Sequence, residues 1–138
     1  MIEGWLGEEY LILFSEAEVP VASERYAVSQ YIEGHQVIGL RSWDDLILRD
    51  SAGLTFCVPA VPLRIEYRTE YRLPGPPLAL GPDDRYTAKI KWYVKPLVFG
   101  GAADIGENVV WVDHSKHAEL VTWWNELYRD LNRQKPQL

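Results

Sequence analysis

The C-terminal segment carries the pattern that most restricts the fold. From His117 to Leu131 the apolar residues Leu120, Val121, Trp124, Leu127, Tyr128 and Leu131 recur at i, i+1, i+4, i+7, i+8 and i+11. At about 100° per residue they fill one stripe roughly 120° wide, while Glu119, Glu126, Arg129 and Asp130 fall elsewhere. The pattern predicts an amphipathic helix with one face laid on a sheet and with Trp123 at the stripe's edge, partly exposed. A helix with a single oily stripe needs a partner layer, and the rest of the chain supplies strands for one.

Glu9–Phe14 reads as the first strand. Ser15 with Glu18 three residues on has the spacing of a capping box, so a short helix should start near Glu16. Pro20 fits only the first turn of that helix or slightly beyond, so the helix is expected to be short or kinked, resuming through Ser23–Tyr31 and ending at Gly34. Gln36–Leu40 and Asp45–Arg49 read as strands. Asp50-Ser51-Ala52-Gly53 has the residues of a type I turn, so Leu46–Val58 is expected to be a hairpin. Residues 64–72 are ambiguous, and Leu73–Asp84, with four prolines, reads as a surface loop. Thr87–Val94 and Asn108–Asp113 read as strands with a glycine turn (Gly100, Gly101, Gly106) between them. The segment Val37–Asp50 is weakly echoed by Val98–Asp113. The expected fold class is α+β: a twisted, mainly antiparallel sheet with a short N-terminal helix and the C-terminal helix packed on it, as one domain over 1–138.

Composition narrows the functional classes. A chain of 138 residues with 47% hydrophobic residues can bury a real core without metal or disulfide staples. The single cysteine, Cys57, cannot close an intrachain disulfide, and Met1–Trp5 shows no signal-peptide pattern. No apolar run approaches the roughly twenty residues a membrane helix needs. A cytoplasmic location and no membrane partner are therefore expected. The net charge of −6 gives no footprint of nucleic-acid binding and suits encounter with a basic partner. Six Trp and eight Tyr are a surplus of the residues that favour protein interfaces.

The candidate chemistry is sparse. His114 and His117 stand three apart beside Asp113, but a helix is expected to begin between them, and His35 and Cys57 are too scattered to complete a ligand set. No metal and no cofactor are expected. Cys57 has no nucleophile turn around it and reads as a small core residue. Asp83–Asp84 reads as a solvated pair. Gly100–Gly106 lacks the spacing of a phosphate-binding loop. Trp43-Asp44-Asp45 reads as an aromatic flanked by acids in a turn, a candidate hot spot for a basic partner.

Residues 11–63 resemble the SUKH superfamily, which contains bacterial toxin-immunity proteins and a fungal regulator of cell-wall synthesis. The resemblance lies in Leu13-Phe14-Ser15, Glu18-Val19, Glu24, Tyr26, Tyr31-Ile32-Glu33-Gly34, Val37-Ile38-Gly39 and Leu46-Ile47-Leu48-Arg49-Asp50. Either hairpin, 39–50 or 100–113, can be the counterpart of the family's glycine turn. The resemblance implies helices against a central twisted sheet and a role in masking other proteins.

The expected function is therefore a non-catalytic protein-binding domain of the bacterial immunity type that occludes a toxin domain. Its candidate partner-binding residues are Trp43, Asp44, Asp45, Asp104, Glu107 and Trp123. The alternatives are a small enzyme using His114, His117 and Asp113, and a homodimeric structural or assembly protein.

Overall fold

A computed structural model describes residues 1–73, 79–101 and 108–134. The architecture is α+β. Six strands form an antiparallel meander in the order β1 (Ile2–Leu6), β2 (Glu9–Leu13), β3 (Gln36–Arg41), β4 (Asp45–Arg49), β5 (Thr55–Pro59) and β6 (Thr69–Glu70). Two helices, α1 (Glu18–Arg25) and α2 (Val28–Tyr31), fill the connection from β2 to β3. A separate two-stranded sheet joins β7 (Ile90–Tyr93) to β8 (Val109–Val112), and α3 (His114–Gln134) ends the described chain. None of the described helices is long and apolar enough to cross a membrane.

The period-two pattern places side chains on both faces of the large sheet. Tyr10, Ile12, Leu40, Leu46, Leu48 and Val58 face a core shared with Ile90 and Trp92 of β7 and Ala118 and Val121 of α3. Leu11, Ile38, Ile47 and Cys57 face a smaller cluster with Val19 of α1. Gly39 lies at a bulge in β3, where an added Cβ would fall on the carbonyl oxygen of Ile12, so the close approach of β2 requires glycine there.

Several local expectations hold. Ser15 and Glu18 form the reciprocal capping bonds: the Ser15 N–H donates to Glu18 Oε1 at 2.8 Å, and the Glu18 N–H donates to Ser15 Oγ at 3.3 Å. Asp50 Oδ1 accepts from the Ala52 and Leu54 amides, and Gly53 closes the turn at φ +87°.

Others are corrected. A strand, β1, precedes the expected first one; it pairs along all of β2, and Trp5 exchanges backbone bonds with Gly81. Helix α1 is short, as expected, but starts at Glu18 rather than near Glu16; Pro20 lies in its first turn, where its missing N–H has no helical partner to lose. The break comes at Ala27, which is left-handed at φ 54°. Residues Leu97–Phe99 form a 3-10 turn, so the apparent echo of 37–50 is not a repeated hairpin. Helix α3 begins at His114 rather than His117, and its buried face is centred on His117, Ala118, Val121 and Asn125. Leu131, expected inside, is exposed. Asn125 is tolerated inside because both ends of its amide are used: Oδ1 accepts from the Leu63 N–H and Nδ2 donates to the Ala60 carbonyl, each at 2.7 Å. That pair ties the 60–63 segment to α3.

Candidate functional site

The sequence-predicted residues divide between two places. Trp43, Asp44 and Asp45 line a cleft of about 310 Å³ walled by Pro59–Pro62, by Lys91–Tyr93 of β7 and by His117 of α3. Trp123 lies on α3 in a different groove. The structure does not bring the four onto one wall. Asp104 and Glu107 lie outside the described residues.

The cleft starts from an unusual turn. Ser42 and Trp43, neither a glycine, are both left-handed, at φ 45° and 65°. The Ser42 N–H donates to the Tyr10 carbonyl at 2.6 Å and the Ala60 N–H to the Asp44 carbonyl at 3.0 Å, pinning the turn from two sides. This geometry drives the indole inward. It stacks on Tyr10 at 5.0 Å and meets Trp5, Tyr86 and Trp111 at 6.1, 5.1 and 5.1 Å. Trp43 is only 8% exposed, so it is a core residue and not the exposed aromatic expected from sequence.

The flanking acids are likewise engaged. Asp44 accepts from Lys91 at 2.9 Å and Asp45 from Arg41 at 2.7 Å. Burial raises the Asp44 carboxyl above its ordinary pKa, with Lys91 pulling the other way. Burial works against the Lys91 ammonium, but its bonds to Asp44 and to the Tyr93 hydroxyl outweigh it and raise its pKa. Each acid therefore meets an internal cation before any partner arrives. Asp83 is also tied rather than solvated: it accepts from the Trp5 indole at 3.0 Å and pairs with Arg85 at 2.8 Å.

His117 and His35 have hydrogen-bond partners, whereas His114 packs edge-on against Phe14 at 5.8 Å with its Nε2 buried and unpaired among the described residues. The Asp113 carboxylate caps α3 through the Lys116 N–H at 2.8 Å. His117 is 1% exposed, and its Nδ1 lies 2.6 Å from the Tyr26 hydroxyl. Burial, with a smaller contribution from His114, lowers the His117 pKa to about 3. His35 is held between the Glu33 carbonyl and Arg68. Among the described residues no three His, Cys, Asp or Glu side chains form a group able to hold a metal. Cys57 is buried in β5 and burial pushes its thiol up to about 12. It is expected to stay unlabelled by an aromatic disulfide reagent at neutral pH and to react fully once denaturant unfolds the chain; rapid labelling of the native protein contradicts that placement.

Trp123 keeps the property that Trp43 lacks. It is 59% exposed, and its ring is steadied edge-on against Trp124 at 4.9 Å, which itself packs on Phe99 at 4.9 Å. Glu119, Trp123, Glu126 and Asp130 share one helical stripe at 100° per residue, opposite the buried face. With Ala27 and Gln30 they border a shallow groove of about 530 Å³. Sequence reading named both tryptophans and expected Trp43 to be exposed; the exposed one is Trp123, and the i, i+4, i+7, i+11 spacing of its acidic neighbours was present in the α3 segment.

Compared with known protein families, curated proteins and solved structures, the chain matches none.

Proposed function

We propose that the chain is a non-catalytic protein-binding domain of the immunity type, acting in the bacterial cytoplasm by masking a basic toxin domain with the outer face of α3. The observation that carries this reading is Trp123, more than half exposed on a stripe with Glu119 and Asp130; Glu126 on the same stripe already pairs with Arg129. A large aromatic held by its neighbours loses little entropy when covered, and surrounding acids favour a basic partner and speed its approach. The resemblance of residues 11–63 to the SUKH superfamily supports the same reading, as does the α+β architecture with helices against a sheet.

Affinity capture with the tagged protein from its native lysate tests this. One partner at near one-to-one ratio is expected, weakened by about 30-fold or more in Trp123→Ala. Glu119→Lys should chiefly slow association and reduce its salt dependence. The partner expressed alone should arrest growth, and co-expression should relieve the arrest. A partner held equally by both folded variants overturns the assignment of α3, and a harmless partner overturns immunity.

A further inference from the structure

On another side of α3, a cavity of about 470 Å³ opens between the end of α2, the 63–66 segment and the helix. Its walls carry an unusual concentration of donors. Arg64 and Arg129 both line it, with Tyr31, Tyr128, Gln30 and Asn132. Each guanidinium lies over a tyrosine ring, Arg129 on Tyr31 at 4.7 Å and Arg64 on Tyr128 at 5.9 Å, which restricts where its planar fork can point.

Among the described residues, two donors in these walls have no acceptor. The Tyr31 hydroxyl and Arg129 Nε are both shielded from solvent and unpaired. Unpaired donors inside a protein are rare and unfavourable, and two beside one cavity call for an acceptor between them. The acids nearby do not supply it: Glu66 takes Arg64 Nε at 2.5 Å, with the Tyr128 hydroxyl as a second partner of that guanidinium, and Glu126 takes Arg129 Nη2 at 3.2 Å, leaving Arg129 Nε without an acceptor. Glu66 is the only carboxylate among the described lining residues, and with Glu126 on Arg129 it balances the two arginine charges, so the cavity is locally far less negative than a chain of net charge −6 implies. At physiological salt, charges beyond about 8 Å are largely screened, so an anion entering here meets the paired arginines and their carboxylates rather than the chain's net negative charge.

We propose that this cavity binds the phosphoryl group of a small phosphorylated metabolite. A tetrahedral oxyanion offers acceptors in several directions and can meet the terminal nitrogens of both arginine forks, with the shielded Tyr31 hydroxyl and Arg129 Nε reached once these side chains turn toward it, whereas a planar carboxylate is used up by one fork. The remaining volume accommodates an organic portion. The lining shares only Gln30 with the Trp123 groove, and the Arg129–Glu126 pair joins the two, so the probe titration is made on the free chain with no partner present.

Pyrophosphate is a suitable probe, titrated into the wild-type chain at constant ionic strength and followed by backbone amide shifts and calorimetry. Saturable binding is expected, with shifts confined to residues 30–31, 63–66 and 125–132. Arg64→Met and Arg129→Met should each weaken it by about tenfold or more while the melting temperature stays close to wild type. Arg129→Lys, which keeps the charge but loses the fork, should still weaken it. Absence of saturable shifts up to about 10 mM, or shifts centred elsewhere, overturns the proposal from the wild-type titration alone, so it does not depend on either variant folding.

Discussion

Trp43→Ala is expected to lower the unfolding free energy by about 3–5 kcal/mol, the range for removing a large buried aromatic from a packed core. The indole sits within a five-ring cluster with Trp5, Tyr10, Tyr86 and Trp111, and edge-to-face or offset pairs add about 0.5–1.5 kcal/mol each beyond area burial. For a domain whose total stability is about 5–15 kcal/mol, that is a large fraction. The turn adds a second, sharper expectation. Trp43 is left-handed, a conformation that disfavours alanine but not glycine, so Trp43→Gly should be at least as stable as Trp43→Ala, the reverse of the usual order. Urea unfolding followed by far-UV circular dichroism reads both. A loss below about 1 kcal/mol for Trp43→Ala means that the ring is not packed as described. The same result bears on function: any partner lost by this variant reports damage to the core, and Trp123 is the tryptophan whose removal should leave the fold intact.

The contrast between these two tryptophans shows what the sequence could and could not reveal. Strands β3, β4 and β5 and the 50–53 turn follow from period-two patterning and turn chemistry, both local signals, and the structure reproduces them closely. The capping box at Ser15 and Glu18 is local as well. The burial of Trp43 is not, because it depends on two non-glycine residues adopting positive φ, a conformation held by Tyr10 from one side and Ala60 from the other. The neutralisation of Asp44 comes from Lys91, 47 positions away, on a strand of the second sheet. Asn125 reads as polar on a helix and becomes a core residue only because its amide matches two backbone groups 62 and 65 positions distant. The arginine-lined cavity is assembled from α2, the 63–66 segment and α3, and no single stretch of sequence contains it. What patterning fixes is which elements form; which polar side chains meet is decided by packing between elements far apart in the chain.

The same long-range packing makes the protein sensitive to acid through His117. Its ring is enclosed between Tyr26 at the end of α1, Trp92 of β7 and its own helix, and the Tyr26 hydroxyl is the hydrogen-bond partner of Nδ1. With that hydroxyl donating, the neutral ring carries its proton on Nε2; a second proton would force the hydroxyl to turn from donor to acceptor and place a charge in the core. The folded pKa, about 3, therefore lies below the ordinary value of 6.5. Above pH 6.5 neither the folded nor the unfolded chain binds the extra proton, and the stability is fully present. As the pH falls below 6.5 the unfolded chain takes up a proton that the folded chain excludes, so stability declines by about 1.4 kcal/mol per pH unit until the folded ring protonates near 3. His114, half-buried one turn earlier, is lowered in the same direction by burial, so the two histidines act together. The carboxylates held down by ion pairs, such as Glu18 at about 2, lose their contribution only below their ordinary value of 4.5. The interval from pH 6.5 to 5 thus isolates the imidazoles. Between those limits wild type should lose about 2 kcal/mol more than His117→Gln, whose amide can keep a bond to Tyr26 without titrating. Comparing the slopes removes whatever fixed destabilisation the substitution brings. Parallel stability curves for the two proteins over this interval would mean that His117 is either solvated or already charged in the native state, and would contradict its burial against Tyr26.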